Sequence, residues 1–172
     1  MNMFCFQCQE TARGTGCTVK GVCGKEPQTA AYMDLLLYAV RGIAIVNRTL
    51  CEKGTAHNEI DHFVLDALFC TITNANFDDE AIIVRIKKAF EIKNILVGTA
   101  KKRNIALPDM PEVAYFVSEE NYLAEAAEVG VLSEPNEDLR SLKQMVIYGV
   151  KGAAAYTEHA LNLGFEDHDI YA

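Results

Sequence analysis

The chain is short of positive charge, of long apolar runs and of strand-like periodicity, and each shortage removes a class of function. Lysine and arginine number 16 against 24 aspartates and glutamates, a formal net charge of −8 with a pI near 5.0. A domain that grips nucleic acid or an anionic bilayer by charge needs a basic face, so neither is expected as a partner. Purely apolar runs such as Leu35 to Val40 fall far short of the ~20 residues that span a bilayer, and no membrane span is expected. The opening Met1-Asn2-Met3-Phe4-Cys5 has neither the basic n-region nor the apolar core of a secretory signal, which makes the reducing cytoplasm the default compartment. No P-loop, Rossmann glycine fingerprint, H-E-x-x-H or nucleophile elbow is visible. What is present, 172 residues of which 50% are apolar, suits one or two compact soluble domains.

Cysteine is where the sequence is rich. Of six cysteines, Cys5, Cys8, Cys17 and Cys23 fall within the first 23 residues, while Cys51 and Cys70 stand alone. A disulfide framework is one reading of such a cluster, but a reducing compartment and a sizeable core make staples unnecessary. Metal is the stronger reading. The spacing is C-x2-C-x8-C-x5-C, threaded with Gly14, Gly16, Gly21 and Gly24, and a loop of that kind can fold back so that four sulfurs converge and its amides point at an inorganic core. Structural zinc also takes four thiolates, usually through two short knuckles, and only the first pair here is a knuckle. The asymmetric spacing, with Phe4 and Phe6 flanking the first cysteines, favours an iron-sulfur cluster, with zinc as the alternative.

Beyond the loop the period is helical, and the fold class expected is all-α. Leu36, Ala39, Ile43, Val46 and Leu50 recur at steps of three and four in a helix of about 28–53, opened by Pro27 and ended by Gly54 in a left-handed cap. A second helix covers about 57–73. Asn74-Ala75-Asn76 breaks it, and Asp78 caps a third helix that carries Ile82, Ile86, Ala89, Phe90, Leu96 and Ala100 and ends near Asn104. Residues 105–117, with Pro108 and Pro111, read as an irregular crossover. Ser118 caps a short helix closed by Gly130, and a long helix of about 137–163 follows, with Leu139, Leu142, Val146, Gly149, Ala153, Thr157 and Ala160 on one face. Its Gly149 and Gly152 suggest close approach to a neighbouring helix. The division expected is a cluster-binding loop over 1–27, an up-down three-helix bundle over 28–104, the crossover, and a partial second bundle over 118–172.

A shift of 110 residues places Tyr38, Val40, Gly42, Ala44, Gly54 and Ile60 on Tyr148, Val150, Gly152, Ala154, Gly164 and Ile170, with Arg41 on Lys151. The helix-ending glycine coincides, which argues for a duplicated three-helix unit whose second copy is truncated. An apolar face is then expected to lie open where the absent part would pack, with self-association through it as one consequence.

Other candidates carry less. Glu59 and His62 form a helical Glu-x-x-His step, but no second pair exists for a di-iron site, and they read as surface polar residues. His57, His159 and His168 have no partner at ligand spacing. Cys51 and Cys70 read as buried small hydrophobes. Lys87, Lys88, Lys93, Lys101, Lys102 and Arg103 read as a solvated basic face, or as a docking patch for an acidic redox protein.

The run from Met3-Phe4-Cys5-Phe6-Gln7-Cys8-Gln9-Glu10-Thr11 through Gly14-Thr15-Gly16-Cys17-Thr18 to Gly21-Val22-Cys23-Gly24-Lys25 resembles the N-terminus of the hybrid cluster proteins, also called prismane proteins or hydroxylamine reductases. Similarity continues through Tyr148-Gly149-Val150-Lys151-Gly152 and Glu158-His159-Ala160. The resemblance implies a helical domain of two three-helix bundles, and a 4Fe-4S centre held by Cys5, Cys8, Cys17 and Cys23, since this spacing is similar to that subgroup's rather than to the wider 2Fe-2S one. It further implies reduction of hydroxylamine to ammonia, with nitric oxide as a second proposed substrate, at a hybrid iron-sulfur-oxygen cluster ligated in later domains. Those positions are missing here, so this segment alone is expected to pass electrons from a donor redox protein and to be catalytically inactive. Its rivals are a zinc-stabilised helical interaction module and a self-sufficient small redox carrier.

Overall fold

A computed structural model of the chain describes residues 3–8, 10–55, 58–72, 75–117 and 121–171. The expected cap at Ser118, the helix start at His57, the break at Asn74 and the motif residue Gln9 lie outside the described residues.

The architecture is all-α. Its helices are α1 (Pro27–Cys51), α2 (Asn58–Cys70), α3 (Asp79–Lys102), α4 (Pro111–Ala114), α5 (Tyr122–Val129) and α6 (Glu137–Asn162), with 3-10 turns at Ala12–Gly14, Val131–Ser133 and His168–Tyr171. Helix starts follow the chemistry of the sequence. Pro27 occupies the first turn of α1, Asp78 accepts from the amides of Glu80 and Ala81, and Asn136 accepts from Leu139. The short helix is capped by Asn121, which accepts from the amide of Ala124. Within the crossover, Pro111 opens one helical turn, α4, where irregular chain was expected.

α1 is the central element and packs most extensively on α3, then on α5, α4 and α2. Leu36, Ile43, Val46 and Leu50 are fully enclosed, and with Ile82, Ile86, Ala89 and Leu96 of α3 and Phe63 and Ala67 of α2 they form the main core. By length and composition α1 is apolar enough to cross a membrane, yet 67% of its most apolar window is buried inside the bundle. Its hydrophobicity therefore serves the core.

α3 corrects one expectation. Lys93 is fully buried, and its ammonium donates to the carbonyl of Glu112 at 2.5 Å and to that of Tyr115, with the Phe116 ring centroid 4.5 Å away. A satisfied cation thus fastens α3 to the crossover instead of facing solvent. Gly42 of α1 makes room for this junction: a Cβ there would lie 2.3 Å from the Glu112 carbonyl oxygen.

At the ends of α1 and α6 the 110-residue register is matched. Pro27 and Glu137 open matching helices, and Gly54 and Gly164 follow them at φ +76° and +81°. Both ends carry the same bonds: Thr55 N–H to Leu50 O and Gly54 N–H to Cys51 O in one, Phe165 N–H to Ala160 O and Gly164 N–H to Leu161 O in the other. This pattern satisfies the last carbonyls through a left-handed glycine.

The apolar stripe of α6 is turned outward. The residues the helix turns inward are Ile147, Lys151, Ala154 and Leu161, whereas Leu139, Leu142, Val146 and Tyr156 face solvent, Val146 at 67% exposure. A Cβ at Gly149 or Gly152 would meet nothing within 4 Å. The close helix approach expected at these glycines is therefore absent among the described residues, and the apolar stripe is the open face.

Candidate metal centre

All four clustered cysteines lie on the single loop that precedes α1, and all six in the chain are free thiols. Cys5 and Cys17 face each other in an isolated antiparallel bridge, with Cys5 N–H donating to Cys17 O at 3.1 Å. Cys17 is buried, Cys5 and Cys8 are half-buried, and Cys23 is exposed. A tight turn presents Cys23: Gly21 N–H donates to Lys25 O and Gly24 N–H to Gly21 O, both at 2.8 Å, with Gly24 at φ +93°. A Cβ on Gly21 would stand 2.9 Å from Lys25 N and 3.1 Å from Cys23 Sγ, so only glycine passes there.

Backbone amides already reach sulfur. Val22 N–H donates to Cys17 Sγ at 3.5 Å, and a backbone bond from Gln7 lowers the pKa of Cys5, although burial, the larger effect, pushes that thiol up to about 11. Lys25 and Cys17 pull the same thiol in opposite directions, down and up. Phe4 and Phe6 stack on each other with ring centroids 5.5 Å apart, and Arg140 of α6 lies 5.4 Å from the Phe4 ring.

A buried polar chain ties this loop to the helices. Gln7, between the first two cysteines, donates through Nε2 to Asp34 of α1 at 3.3 Å and accepts through Oε1 from Lys151 of α6. Lys151 also reaches the Thr71 carbonyl at 3.5 Å, and Asp34 accepts from Val131 N–H at 3.0 Å. Burial raises the Asp34 carboxyl to about 6, opposed by the Val131 bond and by Lys151. It lowers the Lys151 ammonium to about 8, opposed by Asp34 and Cys5. Sequence reasoning missed Gln7, Asp34, Lys151 and Lys25. Two signals existed: an aspartate inside the apolar Met33-Asp34-Leu35 stretch of a core helix, and Lys151 standing on Arg41 in the repeat.

The remaining candidates scatter. Cys51, expected to be buried, is exposed near the end of α1, while Cys70 is buried as expected. Glu59 is exposed, and His62 bonds Glu166 at 2.6 Å, which joins α2 to the chain after α6. His159 rests against the Phe69 ring, and His168 against Tyr171. Among the described residues no group of three or more His, Cys, Asp or Glu side chains is disposed around a single ion. The thiolates of a multi-iron cluster bind different irons, so its site does not require that crowding.

The family model described as Prismane/CO dehydrogenase matches residues 3–172. The chain belongs to that family. It is similar to hydroxylamine reductases of Bacteroides thetaiotaomicron, at 54% identity over 172 residues, Bacteroides fragilis, at 51% over 173, and Desulfitobacterium hafniense, at 46% over 175. Each match covers 100% of this chain and 31% or 32% of the relative, so the chain spans about a third of their length. Prismane family membership implies iron-sulfur clusters. The residues present fit such a group: four thiols share one glycine-shaped loop with amides directed at sulfur, and beside them Lys25 buries an ammonium that no carboxylate pairs among the described residues.

Proposed function

We propose that this chain is the electron-transferring front segment of a hydroxylamine reductase, in which Cys5, Cys8, Cys17 and Cys23 ligate a 4Fe-4S cluster. The observation that carries this reading is the loop itself, where four thiols sit on one short segment with Val22 N–H already donating to sulfur. When bound, a cluster of this kind accepts and passes on single electrons. The protein's part is to hold the thiolates, to direct amides at them and to fix the loop through Gln7, Lys151 and Asp34 against α6 and α1. With every ligand position taken by thiolate, bond chemistry on hydroxylamine, or on nitric oxide, belongs to a hybrid iron-sulfur-oxygen cluster held by the rest of the reductase, and the segment alone is inactive.

Electrons enter from a donor redox protein in the cytoplasm. Exposed Val19, Val22 and Cys23 share the loop with Arg13 and with Lys20, which pairs with Glu26 at 2.5 Å, and this apolar, weakly charged surface is where the donor would approach. The open stripe of α6 receives the remaining chain of the reductase, and in the isolated segment it pairs with a second copy.

The reading is tested by anaerobic reconstitution with iron and sulfide. A brown chromophore absorbing near about 400 nm and bleached by dithionite is expected. Serine at any one of Cys5, Cys8, Cys17 or Cys23 should reduce or abolish it, and serine at Cys51 or Cys70 should not. A colourless protein that retains zinc overturns the reading.

A further inference from the structure

Three lysines are buried among the described residues, Lys25, Lys93 and Lys151, and two of them are explained by the protein alone. Lys93 donates to two carbonyls, and Lys151 to Gln7 and the Thr71 carbonyl with Asp34 nearby. Among the described residues Lys25 has no oxygen partner. It is 1% exposed, its ammonium donates to the thioether of Met33 at 2.9 Å, and it lies 5.2 Å from the centre of the Phe77 ring. A thioether is a weak acceptor and a benzene face a weak anion substitute, so among the described residues this buried cation bears its desolvation cost without a counter-anion. An apolar side chain of the same length would fill the space without that cost.

Lys25 belongs to the cysteine loop itself. It closes the turn that presents Cys23, with Gly21 N–H donating to Lys25 O at 2.8 Å, and a Cβ on Gly21 would lie 3.0 Å from Lys25 Cβ and 3.1 Å from Cys23 Sγ. The buried ammonium therefore lies on the loop that carries the proposed ligand set. Electrostatic attraction inside a protein is far less screened than in water, so a fixed ammonium beside a cluster opposes its negative charge, which grows by one on reduction.

We infer that Lys25 is the counter-charge of the cluster held by Cys5, Cys8, Cys17 and Cys23, and that it sets the cluster's reduction potential as a positioning and electrostatic residue; the inference rests on the cluster reading above. The ammonium neither accepts the electron nor binds iron. It favours the more negative, reduced form, and it makes cluster loading the event that pairs a buried charge.

The test is a potentiometric titration, followed by electron paramagnetic resonance, of the reconstituted protein and of Lys25→Met. Removal of the charge should lower the potential by a tenfold or greater change in the reduced-to-oxidised ratio at fixed ambient potential, about 59 mV for one electron. Lys25→Arg should stay near the parent. Phe77 is 44% exposed, so Phe77→Glu offers Lys25 a rival anion at a tolerant position. It should lower the potential relative to Phe77→Gln even if Lys25→Met does not fold. Reduced-to-oxidised ratios within twofold of their references in Lys25→Met, or in Phe77→Glu where Lys25→Met fails to fold, with normal iron content, overturn the inference while leaving the cluster intact. A parent protein that takes up no iron and sulfide would instead overturn the reading on which it rests.

Discussion

Lys93 shows how one side chain decides the path of a connecting segment. Its two carbonyl acceptors, Glu112 and Tyr115, lie at either end of α4, so the ammonium fixes both ends of that turn against α3. Charge-assisted bonds contribute about 1.5–3 kcal/mol each, and their removal leaves two carbonyls short of a donor. Lys93→Met should therefore cost about 3 kcal/mol in urea unfolding. Burial lowers the Lys93 pKa to about 8, partly offset by Glu112, whereas the unfolded lysine titrates near 10.5. Between those values the unfolded chain binds the proton that the folded chain has released, so stability rises with pH. This contribution, which comes from relieving the cost of a buried charge and is separate from the bonds to the carbonyls, is complete above pH 10.5 and lost as pH falls through about 8. Parent stability minus that of Lys93→Met, followed from pH 7 to 11, should climb across that window. The signal for this residue was in the sequence: Ile82, Ile86, Ala89, Lys93, Leu96 and Ala100 step by fours and threes along one stripe. Residue type suggested solvent, but position on the stripe was the better guide.

At the scale of the helix, α1 and α6 are a matched pair in unequal surroundings. Gly42 and Gly152 occupy equivalent places, but the first lies under the Glu112 carbonyl and the second under open space. Gly42→Ala should destabilise by about 1–3 kcal/mol through overpacking, which exceeds the gain in helix propensity. Gly152→Ala should stabilise by up to about 1 kcal/mol, because propensity acts there unopposed. Thermal melts of the two variants should move in opposite directions. Helix type, the Pro27, Asp78 and Gly54 boundaries and the repeat were legible because each depends on local chemistry. The direction in which α6 faces was not. Its apolar stripe is the one the equivalent helix α1 buries, but its seating follows Lys151, which reaches Gln7 and Thr71 on distant segments that periodicity cannot connect.

For the molecule as a whole, we propose that the open stripe of α6 and the cysteine loop each meet a partner. Exposed Leu142, Val146 and Tyr156 should drive the isolated segment to associate, and lysine at both Leu142 and Val146 should return it to a monomer in sedimentation velocity runs. The loop was readable from spacing and glycine alone, since all four cysteines and the turns that present them lie within one short segment. Its support was not readable, because Asp34 of α1 and Lys151 of α6 meet Gln7 only after folding. Counting iron and acid-labile sulfide in anaerobically reconstituted protein tests the cluster most directly. Close to four of each per chain is expected, and stoichiometric zinc with no sulfide would contradict it.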